Sequence, residues 1–325
     1  MRDIKILLPN LNQSLWGLIS HFIEYSNTFR LPVRLHFDES YINSRFGGAS
    51  SFAVLAVNGK EYLVDVQDNP RPYEFYKDYE LVFKRSFSSK ITYPGNVIPY
   101  GFRLDQTVPI YEVCRRSNLL TLANLNNRNW KEIRRSTFLN KLLPNDLFDN
   151  KLRNIRAFYD TNIADYNGRI AYSARYWREE GREDRIKINS QRTSIYNFLS
   201  VSGLNCFCSL KFISQKTWIK ILQGANIVVV NNGLHDVPGL RIAEATVFSK
   251  CPVSPELNVL IPEYIEGKNY IRIQDDISDL ASVLEYLVKS KDYTEIQYNN
   301  SIYSSEFLLG SKKAEYILNE IKRRS

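Results

Sequence analysis

The stretch NIVVVNNGLHDVPGLRIAEATVFSKCPVSPE, residues 226–256, decides how this chain folds. Residues 226–230 form a short, almost wholly apolar β-branched run, the mark of a strand buried on both faces. Asn231, Asn232 and Gly233 break that run as a loop. From 238 to 248 the apolar side chains return at helical spacing. Pro238 suits the first helical turn, because the N–H it lacks would have had no partner there. Strand, loop and helix in this order make one parallel βα unit.

The same alternation runs outward in both directions, the pattern of parallel βαβ units. Strands are expected at 4–9, 33–37, 52–57, 62–66 and 80–84, then at 170–173, 205–209, 226–230, 259–261 and 271–273. Helices are expected at 14–25, 184–199, 215–223, 238–248 and 277–288, with two terminal helices from about residue 296. Leu15, Leu18, Ile19, Phe22 and Ile23 line one face of the first helix. Asn58-Gly59 between two β-rich runs is a hairpin signal. Residues 107–156 read as helical and basic. The polar run YDTNIADYNG at 159–168 marks the domain boundary. The expected fold is α/β: two Rossmann-like βα domains, 1–158 and 159–300, facing across a cleft, with helices over 301–325 crossing back to the first. Ligands of open α/β sheets collect at the carboxyl ends of the strands.

Composition narrows the class. The chain has 325 residues, of which 44% are hydrophobic and 24% charged, which excludes disordered, collagen-like and disulfide-stapled proteins. Its 43 Lys+Arg against 35 Asp+Glu give a formal +8, so anionic partners are favoured: nucleotides, nucleic acid or an acidic membrane surface. Cys114, Cys206, Cys208 and Cys251, with three histidines, show no metal-ligand spacing, and no metal or cofactor is expected. The first residues, MRDIKILLPNLNQ, do not read as a secretory signal, and no apolar window is long enough to span a membrane. The expected setting is cytoplasmic, with contact at the inner membrane face.

Chemistry concentrates in the deciding stretch. Gly233 and Gly239 let a ligand approach the backbone closely. A helix opening at Pro238-Gly239 offers free N–H groups and its positive dipole end to an anion such as a diphosphate. Glu244, in the second turn, can accept hydrogen bonds from a pair of sugar hydroxyls, with Arg241 beside it.

These residues resemble the glycosyltransferases of the GT-B fold. Asp236 and Glu244 stand with seven positions between them, as the acidic residue and the Glu of that family do, and ATVFSKCPVS matches the tail of the motif. The resemblance implies that Glu244 holds the ribose hydroxyls of a nucleotide-sugar donor and that Asp236 lies close to the transferred sugar. Residues 261–288 resemble the family's closing element. RIAYSARYWREEGREDRIKINSQRTSIYNFL, 169–199, is similar to the first strand, loop and helix of the C-terminal domain in a bacterial subgroup. By position, Arg175 is then a cation for the donor diphosphate, with Arg178 and Arg182 as weaker candidates. ELVFKRSF at 80–87 and VIPYGF at 97–102 also look like that subgroup. Where many retaining members carry a Gly-rich loop after the first strand, this chain has PNLNQSLWG.

Plainer roles stand beside these. Glu244 can pair with Arg241, Asp236 can cap a turn, and His235 can be a loop histidine rather than a general base. Arg175 next to aromatics can serve packing, and the charges over 178–187 a solvated helix start. Trp16, Trp130, Trp177 and Trp218 read as core. Asp65 and Asp68 are acceptor-side base candidates. The leading expectation is metal-independent transfer of a sugar from a nucleotide-sugar to a glycan or lipid-linked acceptor in surface polysaccharide synthesis. Two alternatives use the same residues. One is a transferase acting on modified bases in DNA, with Arg128, Lys131, Arg134 and Arg135 as a phosphate track. The other is a non-catalytic anion-binding module.

Overall fold

The computed structural model describes residues 3–9, 13–47, 51–102, 113, 116–117, 169–177, 183–213, 215–233 and 239–324. The chain divides into two compact units, Met1–Asn154 with Phe307–Ser325, and Ile155–Glu306. The expected boundary at 158/159 and the basic stretch 118–156 lie outside the described residues.

The first unit holds β1 (Ile4–Leu8), α1 (Gln13–Phe29), β2 (Val33–Phe37), α2 (Glu39–Phe46), β3 (Phe52–Val57), β4 (Lys60–Asp65), β5 (Val82–Lys84) and β6 (Val97–Pro99). They form one sheet in the order β2-β1-β3-β4-β5-β6. β3 runs antiparallel to both of its neighbours; the other pairings are parallel. The cause is local. Asn58 and Gly59 both take positive φ, 51° and 84°, the two-residue turn whose twist suits a hairpin, and it pairs Val57 with Lys60. The face of α1 built from Leu15, Leu18, Ile19, Phe22 and Ile23 is buried against β1 and β2. The helix α2 has no counterpart among the expected elements. Asp38 caps it by accepting from the Tyr41 N–H at 2.9 Å, and Gly47 closes it at φ 61°.

The second unit holds β7 (Ile170–Ser173), α3 (Glu183–Val201), β8 (Cys206–Ser209), α4 (Gln215–Gln223), β9 (Ile227–Val229), α5 (Leu240–Val247), β10 (Cys251–Ser254), β11 (Ile271–Arg272), α6 (Leu280–Ser290) and α7 (Tyr293–Tyr303). Its five strands are all parallel, in the order β11-β10-β9-β7-β8. The connection from β7 to β8 runs one way across the sheet; those from β8 to β9 and from β9 to β10 run the other. Right-handed crossovers therefore place α4 and α5 on one face and α3 on the opposite one. Both units are α/β.

Three expectations are corrected. No strand forms at 259–261: the Ile261 carbonyl accepts from the Tyr264 N–H at 3.2 Å, and Pro262 has no N–H to offer a ladder. The helix expected from Pro238 begins at Leu240, with Gly239 as its N-cap. The helix expected from Ile277 begins at Leu280, because Ile277 takes φ 60° in a turn that returns its N–H to the Gln274 carbonyl.

The final helix, α8 (Lys312–Arg324), packs with the first unit, where Ala314, Ile317, Leu318 and Ile321 join the core built on β1 and α1. Lys313 on the same helix is buried. Its ammonium donates to the Tyr100 carbonyl at 2.7 Å, lies 4.9 Å from the Tyr100 ring centre, and has no carboxylate partner among the described residues. Burial lowers its pKa to about 7. The unfolded chain, with an ordinary lysine pKa of about 10.4, then holds this proton more tightly than the folded one between those values. Stability should accordingly climb with pH from about 7 to about 10, by at most about 1.4 kcal/mol per pH unit from this group, and be flat below. Denaturant titrations across that range should show Lys313→Met flattening the climb. An unchanged slope would refute the assignment.

Candidate functional site

In the second unit the winding of the chain reverses between β7 and β9, which lie side by side with Tyr172 opposite Val229. Crevices at such a reversal, beyond the carboxyl ends of the strands, are where open α/β sheets hold ligands. The residues leaving these two strands are Ala174-Arg175-Tyr176-Trp177 and Val230-Asn231-Asn232-Gly233. Arg175 and Gly233 both lie at this edge.

The loop after β7 is clamped from α3. The Asn189 side-chain carbonyl accepts from the Trp177 N–H at 3.0 Å, and its amide donates to the Trp177 carbonyl at 2.7 Å. Arg192 donates to the Arg175 carbonyl and stacks over the Trp177 ring at 4.1 Å. That guanidinium is buried, has no carboxylate partner and an unpartnered Nε among the described residues, and burial lowers its pKa. The backbone of Arg175 is thus fixed while its side chain stays exposed and makes no ion pair among the described residues. Neither Asn189 nor Arg192 stood among the expected site residues. The signal was there: with Ile195 and Leu199 they form the buried stripe of α3, so two polar side chains occupy an apolar helical face.

The loop after β9 leads to α5. Asn231 donates its amide to the Asn232 carbonyl at 2.8 Å, and Asn232 donates to the Glu256 carbonyl at 2.9 Å. The N-cap of α5, Gly239, lies against this loop: a Cβ built there would stand 3.6 Å from the Asn231 carbonyl oxygen. Among the described residues no side chain caps α5. Glu244, in its second turn, accepts on Oε2 from both the Trp218 indole N–H and the Arg241 guanidinium, each at 2.8 Å. Arg241 also lies over the Trp218 ring, 4.4 Å from its centre. The plain pairing of Glu244 with Arg241 is therefore formed, yet it engages one oxygen; among the described residues Oε1 has no partner. Trp218 is buried, as a core tryptophan should be, and its N–H is the feature that the sequence reading missed.

Pro238, Asp236, His235, Arg182 and Arg178 lie outside the described residues, as do Trp130 and the cluster Arg128, Lys131, Arg134 and Arg135. Among the described residues no three His, Cys, Asp or Glu side chains converge to hold a metal ion, and no helix is long and apolar enough to cross a membrane.

In the first unit the two acidic candidates are engaged. Asp65 is fully buried at the end of β4, directly opposite Lys84 in the parallel register with β5. Its carboxylate accepts from the Lys84 ammonium at 2.7 Å, the Gln67 N–H at 2.8 Å and the Tyr76 hydroxyl. With no exposed surface it cannot meet an acceptor hydroxyl, so its role as a base is withdrawn. Asp68 pairs with Arg85 at 2.7 Å.

No protein-family model and no curated protein matches this chain. Several solved structures resemble it. TarM matches at 17% identity over 47% of this chain and 35% of its own, with a TM-score of 0.34. A glycosyltransferase from Rickettsia africae matches at 10% over 97% of this chain and 82% of its own, TM-score 0.44. HepE from Anabaena, solved in complex with UDP, matches at 12% over 96% and 77%, TM-score 0.40.

The Asp65–Lys84 pair carries a structural consequence. Replacing Lys84 by Met would leave a carboxylate enclosed without its counter-charge, a change that costs about 3–5 kcal/mol. Urea unfolding should show a loss of that size for Lys84→Met. A loss under about 1 kcal/mol would mean that Asp65 is hydrated in solution.

Proposed function

We propose that this chain is a glycosyltransferase of the GT-B type that takes a nucleoside diphosphate sugar as donor. The observation that carries the proposal is Glu244: among the described residues, a carboxylate held on one oxygen and open on the other, in the second turn of a helix whose N-cap is a glycine with no side chain to cap it, beside the strand end where the winding reverses. The open oxygen accepts from ribose hydroxyls. The uncapped N–H groups of α5 and the exposed Arg175 receive the diphosphate, whose growing charge on departure they stabilise electrostatically, without a resident metal. Gly239 has φ −64° and ψ 158°, a conformation open to any residue, and among the described residues the atoms near a built Cβ are at ordinary contact distance. Its small size then serves the ligand as well as the cap.

The resemblance implies that Asp236 works close to the transferred sugar, and Asp236 or its neighbour His235 is the candidate for the base that inverting chemistry requires. The acceptor is a glycan or lipid-linked saccharide of a surface polysaccharide. The formal +8 and the basic run over 128–135 support work at an anionic membrane face.

Thermal-shift screening against UDP-, GDP- and dTDP-sugars should find one nucleotide series that raises Tm. Glu244→Ala should weaken that series at least tenfold by calorimetry. The absence of stabilisation by every series would overturn the proposal. Gly239→Ser separates ligand from fold. Serine is at least as good an N-cap as glycine, so Tm should hold within about 1 °C or rise, while nucleotide affinity falls about tenfold. Undiminished affinity would show that nothing binds against Gly239.

A further inference from the structure

Glu244, Arg241 and Trp218 form a closed set in which each side chain touches the other two. The i,i+3 pair of Arg241 and Glu244 is partly exposed, 33% and 24% at the side chains, and such a pair alone holds a carboxylate loosely. Trp218 differs. It comes from another helix, is buried, and presents a rigid ring whose single donor ends on Glu244. An indole that only filled space would need no acceptor of that charge, and Arg241 stacks on the same ring rather than reaching past it. Both donors end on Oε2. The carboxylate plane is thereby fixed, and Oε1, with two lone pairs and no partner among the described residues, is left as the acceptor.

We infer that Trp218 is a positioning residue for donor recognition: its indole N–H locks Glu244 so that Oε1 alone reads the vicinal hydroxyls of the nucleotide's sugar. The inference rests on the reading of Glu244 given under Proposed function. A locked acceptor discriminates strongly between a ligand that has the hydroxyls and one that lacks them, whereas a mobile carboxylate turns to solvent and discriminates little.

The test compares UDP and GDP with their 2′,3′-dideoxy analogues, by calorimetry, on wild type, Glu244→Ala and Trp218→Phe. Phenylalanine keeps an aromatic face for Arg241 and removes the N–H. Wild type should prefer the hydroxyl-bearing nucleotide at least tenfold. Glu244→Ala should abolish that preference, and Trp218→Phe should reduce it at least fivefold while the dideoxy analogue binds both proteins alike. If Glu244→Ala abolishes the preference and Trp218→Phe keeps it, the positioning role is overturned and the ribose reading stands. If wild type shows no preference, both fall.

A measurement on unaltered protein guards against a misfolded Trp218→Phe. In ¹⁵N-tryptophan spectra, one of the indole N–H signals should move on adding the hydroxyl-bearing nucleotide. It should stay still with the dideoxy analogue, and not respond in Glu244→Ala. An indole set that ignores the nucleotide overturns the inference.

Discussion

Parallel strands that are buried on both faces must send their connections out at the ends, and this constraint governs the second unit. With β7 flanked by β8 on one side and β9 on the other, the loops after β7 and β9 leave the same edge and part from each other. Arg175 and Asn231 stand at that parting. The handedness of crossovers then puts α4 and α5 on one face, so that Trp218, 26 residues before Glu244, meets it directly. The α3 helix, sent to the other face, turns Asn189 and Arg192 up beneath the loop that carries Arg175. Two helices on opposite faces thus brace one loop and one carboxylate at one edge.

Much of this was legible because the signals are short-range. The hairpin at Asn58-Gly59 follows from two residues that tolerate positive φ, and β7, α4 and β2 fall where apolar periodicity puts them. Failures came where a local hydrogen bond outweighs periodicity. Ile277 and residues 259–261 have apolar side chains fit for a helix and a strand, but turns take their backbone groups first. The α2 helix went unread because it buries only Ile42 and Phe46, and its evidence is its caps, Asp38 and Gly47.

The candidate site was legible to the extent that it is sequential. Gly239, Arg241 and Glu244 lie in one short stretch of sequence. What could not be read is pairing across the fold. Asp65 ends a strand as a catalytic acid often does, and only the register that sets it opposite Lys84 shows that its charge is already spent on the core. Trp218 was rightly placed in the core, but a buried indole must find an acceptor, and which one it finds depends on a helix 22 residues on.

The positive charge can be apportioned in the same terms. A formal +8 suggests an anionic partner only where the cations face solvent. Lys84 is neutralised by Asp65 inside the first unit. Lys313 is enclosed, and burial holds its pKa well below that of an ordinary lysine, so it offers solvent no charge. Arg192 is a permanent charge but is buried, and it acts on the Arg175 backbone rather than on solvent. Among the described residues, the cations that a ligand can meet at the switch-point edge are therefore few: Arg175, exposed, and Arg241, partly exposed and already shared with Glu244. A diphosphate there needs the backbone N–H groups of α5 as much as it needs side chains, which is why the open N-terminus of that short helix matters more than the net charge of the whole chain.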